Sequence, residues 1–177
     1  LNGRMRRRGA LFSVGSFPIG IDAAEFASLA RENAHDDGLG LGPGQKLVLG
    51  VDRLDYSKGL VNRFEAFGAY LDMRERDPRA RSAVDTRAVF IQVAPPSRSD
   101  LDAYRDIREE LETMSGRVNG AHAALDWTPI RYICRSVPRP MIAGLMRRAD
   151  VCLVTPLADG MNLVAKEFVA AQDPDDP

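Results

Sequence analysis

Apolar positions along the chain fall into two patterns: short solid runs, and stripes that recur every three to four residues. Lys46 to Val51, Ala88 to Val93, Ile130 to Cys134 and Val151 to Val154 are solid runs, and each predicts a short buried strand. Helical stripes separate them. Leu60, Phe64, Phe67 and Leu71 predict a helix over Leu60 to Glu75. Leu101, Tyr104, Ile107, Leu111 and Met114 predict a second, with Ser99 or Asp100 as its cap. Met141, Ile142, Leu145 and Met146 predict a third beginning near Pro138 or Pro140, and Met161 to Gln172 reads as a final helix. Ahead of this series, Ala10 to Val14 is a short apolar stretch, and Pro18 and Gly20 mark a turn. Asp22 then caps a helix from about Ala23 to Asn33, and the glycine-rich Asp36 to Gln45 is a surface loop.

Strands alternating with helices, each strand apolar throughout, imply an α/β fold: a Rossmann-like parallel sheet with helices on both faces. Ligands of such sheets sit at the carboxyl ends of the strands, so the residues just after each strand are the informative ones. The Gly38, Gly40, Gly42, Gly44 spacing does not fit a dinucleotide fingerprint, and it precedes a strand instead of following one.

The first strand is followed by Asp52-Arg53-Leu54-Asp55-Tyr56-Ser57-Lys58-Gly59. A guanidinium and an ammonium on a loop that opens a helix suit a diphosphate, helped by the helix-start amides. The alternative is that Arg53 and Lys58 simply pair with Asp52 and Asp55. After the second strand, Arg98 in Pro95-Pro96-Ser97-Arg98 is another anion candidate or else a helix-flanking surface arginine. Arg135 to Pro140, after the third strand, either offers backbone contacts to a base or is an ordinary turn. The loop after the fourth strand carries Asp159-Gly160-Met161-Asn162 and leads to Glu167. Asp159 can accept from sugar hydroxyls, the amides of Gly160, Met161 and Asn162 can face the same ligand, and Glu167 can accept from a ribose. The alternative makes Asp159 a helix cap and Glu167 a surface residue.

Composition narrows the field without naming a ligand. The chain has 177 residues, 45% hydrophobic and 28% charged, and a net charge of -1, so no global charge attracts nucleic acid or an acidic membrane. Arg4, Arg6, Arg7 and Arg8 form a local basic cluster, read as a flexible, solvated start over residues 1–9. Cys134 and Cys152 sit in apolar runs and are expected to be packing thiols in a reducing compartment. No run approaches the roughly 18 apolar residues of a membrane span, and no apolar segment follows the basic start as in a signal peptide. A cytoplasmic protein is the expectation. The absence of methionine at position 1 points to an excerpt of a longer chain.

Taken in order, the loops resemble the trehalose-6-phosphate synthase family. The resemblance is carried by Pro18-Ile19-Gly20-Ile21-Asp22, Val51 to Gly59, Pro96-Ser97-Arg98, Gly116-Arg117-Val118-Asn119-Gly120, Trp127-Thr128-Pro129-Ile130, and Ala149 through Glu167. It extends to Ala170-Ala171-Gln172-Asp173-Pro174. It implies the C-terminal half of a glycosyltransferase-B fold, in which two Rossmann-like domains face each other across a cleft. It further implies transfer of glucose from UDP-glucose to glucose 6-phosphate with retention, the departing phosphate taking the acceptor's proton, and neither metal nor cofactor. By the same resemblance Arg53 and Lys58 hold the donor diphosphate and Asp159 the glucose hydroxyls, these three being the catalytic set. Gly160, Met161 and Asn162 offer amides, and Leu163, Val164, Ala165, Lys166 and Glu167 line the ribose and phosphate, Glu167 taking the ribose hydroxyls. Val137 meets the uracil through its backbone, and Arg98 binds the acceptor's phosphate.

On this reading residues 10–177 are a nucleotide-sugar-binding domain, incomplete at its C-terminal end and without the N-terminal acceptor domain. Ala158 stands where relatives are often basic, and Pro140-Met141 replaces a more usual acidic-apolar pair. The isolated chain is expected to be inactive, because catalysis needs both walls of the cleft. Small-molecule substrates are the expected partners, with no nucleic acid or membrane, and self-association is left open. A sister enzyme with another acceptor, such as glycerol 3-phosphate, and a non-catalytic module of the same fold are the alternatives.

Overall fold

The structure, a computed structural model, describes residues 3–34, 38–42, 44–77, 87–96 and 102–175. It opens with a hairpin, β1 (Gly3–Arg7) antiparallel to β2 (Ala10–Val14), every residue of which is exposed. The basic start therefore carries regular structure where its composition suggests a tail. Arg8 and Gly9 both take positive φ, 50° and 84°, the backbone of a tight two-residue hairpin turn whose twist matches that of the strands.

Helix α1 (Ala23–Glu32) follows, its first turn capped by the Asp22 carboxylate accepting from the Glu25 amide. Then β3 (Lys46–Val51), α2 (Leu60–Arg76), β4 (Ala88–Val93), α3 (Asp102–His122), β5 (Ile130–Ile133), α4 (Arg139–Arg148), β6 (Val151–Cys152) and α5 (Leu163–Ala171) alternate. The four later strands form one parallel sheet in the order β5-β4-β3-β6, with β3 and β4 central. The expected α/β architecture is what forms.

Alternation along β4 separates two cores. Ala88 and Phe90 face α2 and α3, joining Leu60, Phe64, Phe67, Ile107 and Leu111. Val89, Ile91 and Val93 face α1, α4 and α5, joining Phe26, Ala30, Ala143, Met146 and Ala171. Helices cover both faces because both faces are apolar, which is the reason a parallel sheet reads as solid apolar runs. No described helix is long and apolar enough to cross a membrane.

Candidate functional site

The site is built where β3 and β6, neighbours in the sheet, hand over to α2 and α5. As the chain leaves β3, the Asp52 amide donates to Val93 O and the Leu54 amide to Pro95 O, both bonds to the segment ending β4. Asp52 and Leu54 are buried, so the residue between them, Arg53, points outward and is exposed. Asp55 then caps a 3-10 turn over Tyr56–Lys58, accepting from the Ser57 amide at 2.9 Å; bonds from Ser57 hold its carboxyl below the ordinary carboxylate value. Gly59 closes the turn at φ 63° and starts α2.

The loop after β6 is bound directly to this turn. Ser57 O accepts from the amides of Leu157 (2.7 Å) and Ala158 (3.2 Å). A Cβ at Gly59 would stand 2.5 Å from Thr155 O, so the two loops touch backbone to backbone there. The junction brings Lys58 Nζ to 2.6 Å from Asp159 Oδ2, with the side chains only 14% and 20% exposed although the backbone around Asp159 is open. The local alternative of pairing with Asp52 and Asp55 is not what forms: Lys58 pairs across the sheet, and Asp52 pairs with Arg63.

Asp159 is not the cap of α5. Asn162 is, accepting from the Ala165 amide at 3.0 Å while its own amide group donates to Asp159 Oδ2 at 3.1 Å. The α5 helix consequently begins at Leu163, two residues later than its apolar pattern suggests. The Lys58 bond, reinforced by Asn162, holds the Asp159 carboxyl below its usual range. Because this pKa is depressed, the pair's contribution is present above the unfolded value, near pH 4, and is lost as pH falls through the folded value. An NMR titration of Asp159 should therefore give a midpoint below that of free aspartate, and Lys58→Met should raise it. Equal midpoints in the two proteins would show that the pair does not form in solution.

The remaining described candidates lie on α5, on the loop before it and on the β5–α4 loop. Gly160 and Met161 are exposed on the loop, and Leu163, Val164 and Ala165 are half-buried in the first turn. Lys166 Nζ donates to Ile19 O at 2.7 Å, tying α5 to the segment before α1. Glu167 is half-buried on the same helix; burial pushes its carboxyl up and the Arg139 guanidinium opposes that push. Val137 lines a groove of about 530 Å³ with Leu39, Ile133, Arg135 and Met141, beside the β5–α4 loop. Arg98 lies outside the described residues.

Beneath the rim is a buried polar network absent from the sequence reading. Arg63 Nη1 donates to Asp52 Oδ2 and Gln92 Oε1, each at 2.8 Å, and Nε to Thr155 Oγ1 at 3.0 Å. The Arg63 and Asp52 side chains are 1% and 4% exposed. Burial pushes the Asp52 carboxyl up, and Arg63 opposes it by charge and hydrogen bond. Gly50 makes the room, since a Cβ there would overlap Gln92 Oε1 and lie 2.7 Å from Arg63 Nη1. Arg63 Nη2 is buried without a partner among the described residues, a cost of roughly 1–3 kcal/mol. The signal was available: a cation inside the apolar stripe Leu60, Phe64, Phe67, Leu71, and Gln92 inside an apolar strand.

The chain is similar in sequence and fold to known proteins. The model of glycosyltransferase family 20 matches residues 2–176. A trehalose-6-phosphate synthase of Sinorhizobium fredii is 46% identical over 99% of this chain and 37% of its own length. One from Klebsiella pneumoniae is 44% identical over 98% of this chain and 36% of its own. Among solved structures, an α,α-trehalose-phosphate synthase (UDP-forming) from Burkholderia xenovorans in complex with glucose-6-phosphate superposes with a TM-score of 0.85. It is 45% identical, covering 99% of this chain and 38% of that one. An E. coli structure bound with UDP-2-fluoro glucose gives 0.80 at 39% identity, covering 99% of this chain and 40% of that one. The chain thus spans between a third and two fifths of the length of these relatives. Matched along almost its whole length, the chain belongs to glycosyltransferase family 20.

Proposed function

We propose that this chain is the donor-binding part of a trehalose-6-phosphate synthase, holding UDP-glucose while glucose passes to glucose 6-phosphate with retention. The observation that carries the reading is the junction of the two loops. Lys58, Asp159 and the start of α5 meet at the carboxyl ends of adjacent parallel strands, where this fold class takes its ligands. The Burkholderia relative that binds glucose-6-phosphate and the E. coli relative that binds UDP-2-fluoro glucose support the choice of substrates.

The parts divide the work as follows. As the glycosidic bond breaks, negative charge grows on the departing diphosphate. Arg53 offers a planar fork from an exposed position on the β3–α2 loop, and the amides of the first turn of α5 add a partial positive charge. Lys58 has three N–H donors and Asp159 takes one, so the carboxylate fixes the ammonium in place and leaves donors for phosphate. Groups preorganised in this way stabilise a transition state by about 3–4 kcal/mol each. Asp159 serves the glucose hydroxyls, Glu167 the ribose, Val137 the base and Arg98 the acceptor's phosphate.

Calorimetric titration of UDP and UDP-glucose tests the assignment. The chain should bind both, and Arg53→Ala should weaken both roughly tenfold, the loss of one charge-assisted bond. Equal affinities in the two proteins would remove Arg53 from the site, and no binding by the unmodified chain would count against the reading as a whole.

A further inference from the structure

We infer that Arg63 is a positioning residue: through its bond to Thr155 it sets where the Asp159 loop stands relative to Lys58. The inference rests on the donor-site reading above and adds a residue that acts through others, its own side chain being almost wholly buried.

The geometry divides the guanidinium's bonds between a rigid side and a loose one. Nη1 is held by Asp52 at the end of β3 and by Gln92 within β4, the two central strands of the sheet. Nε reaches out to Thr155 Oγ1, the first part of the loop leaving β6. That loop has little else to fix it near its origin. The β6 strand is two residues long and lies at the sheet edge, paired with β3 through Val48–Val151 and Leu49–Cys152. The last backbone bond along it runs from the Leu153 amide to Leu49 O. Beyond Leu153 the loop meets the β3–α2 turn through the Leu157 and Ala158 amides and the Lys58–Asp159 pair. Among the described residues the Thr155 hydroxyl is the loop's one side-chain bond to the buried scaffold. A planar group suits this task because two acceptors on Nη1 fix the guanidinium plane and with it the direction of Nε.

A role in packing alone and a role in positioning make different predictions. Thr155→Val keeps the side-chain volume and the Arg63–Asp52–Gln92 bonds, and removes only the acceptor for Nε. In the ligand-free chain, amide hydrogen exchange at Leu157 and Ala158 should speed roughly tenfold, and the stranded Nε should lower overall stability by no more than the same factor in the folding equilibrium. Thr155→Ser, which retains the hydroxyl, should restore slow exchange at those two amides. Arg63→Lys, which cannot reach three partners with one fork, should likewise speed exchange at Leu157 and Ala158, together with a lower thermal midpoint from the disturbed Asp52 and Gln92 bonds. Unchanged exchange at Leu157 and Ala158 in Thr155→Val would overturn the inference. So would failure of Thr155→Ser to restore protection. Since exchange is read without ligand, the result stands apart from UDP and UDP-glucose titrations of the unmodified chain, whose failure would instead sink the donor-site reading.

Discussion

Arg63→Met is expected to lower the folding stability of this chain by about 3–5 kcal/mol at neutral pH. The arginine and Asp52 form an ion pair that is almost entirely out of water. Removing the cation leaves a buried carboxylate without its bonded counter-charge, and Gln92 and Thr155 each lose a donor. The pH dependence identifies the cause. Burial already pushes the Asp52 carboxyl above its ordinary value, and Arg63 is the main influence holding it down, so the variant should push it higher still. A carboxyl whose folded pKa lies above its unfolded one favours the folded state when protonated, and this advantage is lost as pH rises through the folded value. The deficit of the variant relative to the parent should therefore be largest at pH 7 and shrink toward pH 4. Urea denaturation of both proteins at the two pH values measures it, and Asp52→Asn placed in Arg63→Met should recover part of the loss at pH 7. A deficit independent of pH would mean that the stranded charge is not its source.

Gly59→Ala should cost about 2–4 kcal/mol, and it should reach the site as well as the fold. The backbone there has φ 63°, a left-handed conformation that costs a residue with a Cβ roughly 1–2 kcal/mol. The added carbon would also press on Thr155 O at 2.5 Å and on the Leu157 side chain at 3.4 Å. The first of these is backbone, so the whole β6–α5 loop must give way, and Lys58 and Asp159 separate with it. A control is at hand in Gly120→Ala. That glycine lies inside α3, at an ordinary φ, with nothing within 4 Å of the added carbon, and the change should be neutral or stabilising by up to about 1 kcal/mol. Thermal unfolding ranks the two variants. Should Gly59→Ala melt with the parent protein, the close contact between the loops would not exist in solution.

Particular elements show how much could be read from sequence. The apolar runs Lys46 to Val51 and Ala88 to Val93 became β3 and β4 with the same ends, because both strands are central and helices cover both of their faces. Asp22 capped α1 as its residue type predicts. The edge strand β6 came out shorter than the run Val151 to Val154, since only β3 lies beside it to supply backbone partners. The hairpin at the start is not legible in its charge, since four arginines within residues 4–8 suit a solvated tail; the turn at Arg8-Gly9 between two short exposed strands is set by pairing. The resemblance of the loops to one glycosyltransferase family was legible in full, and the family match bears it out.

Periodicity and the order of strands and helices are local properties, and the sequence by itself determined them here, along with the Asp22 cap and the family to which the chain belongs; the Ser99 or Asp100 cap lies outside the described residues. Which charges meet was decided only in three dimensions. Lys58 had two carboxylates within six residues, yet its partner is Asp159, 101 positions away, and Asp52 took Arg63 from the following helix. The physical reason is the parallel sheet. Pairing β3 with β6 sets two loops far apart in the chain side by side at one rim, where backbone contacts at Ser57 and Gly59 choose between partners that spacing alone leaves equivalent.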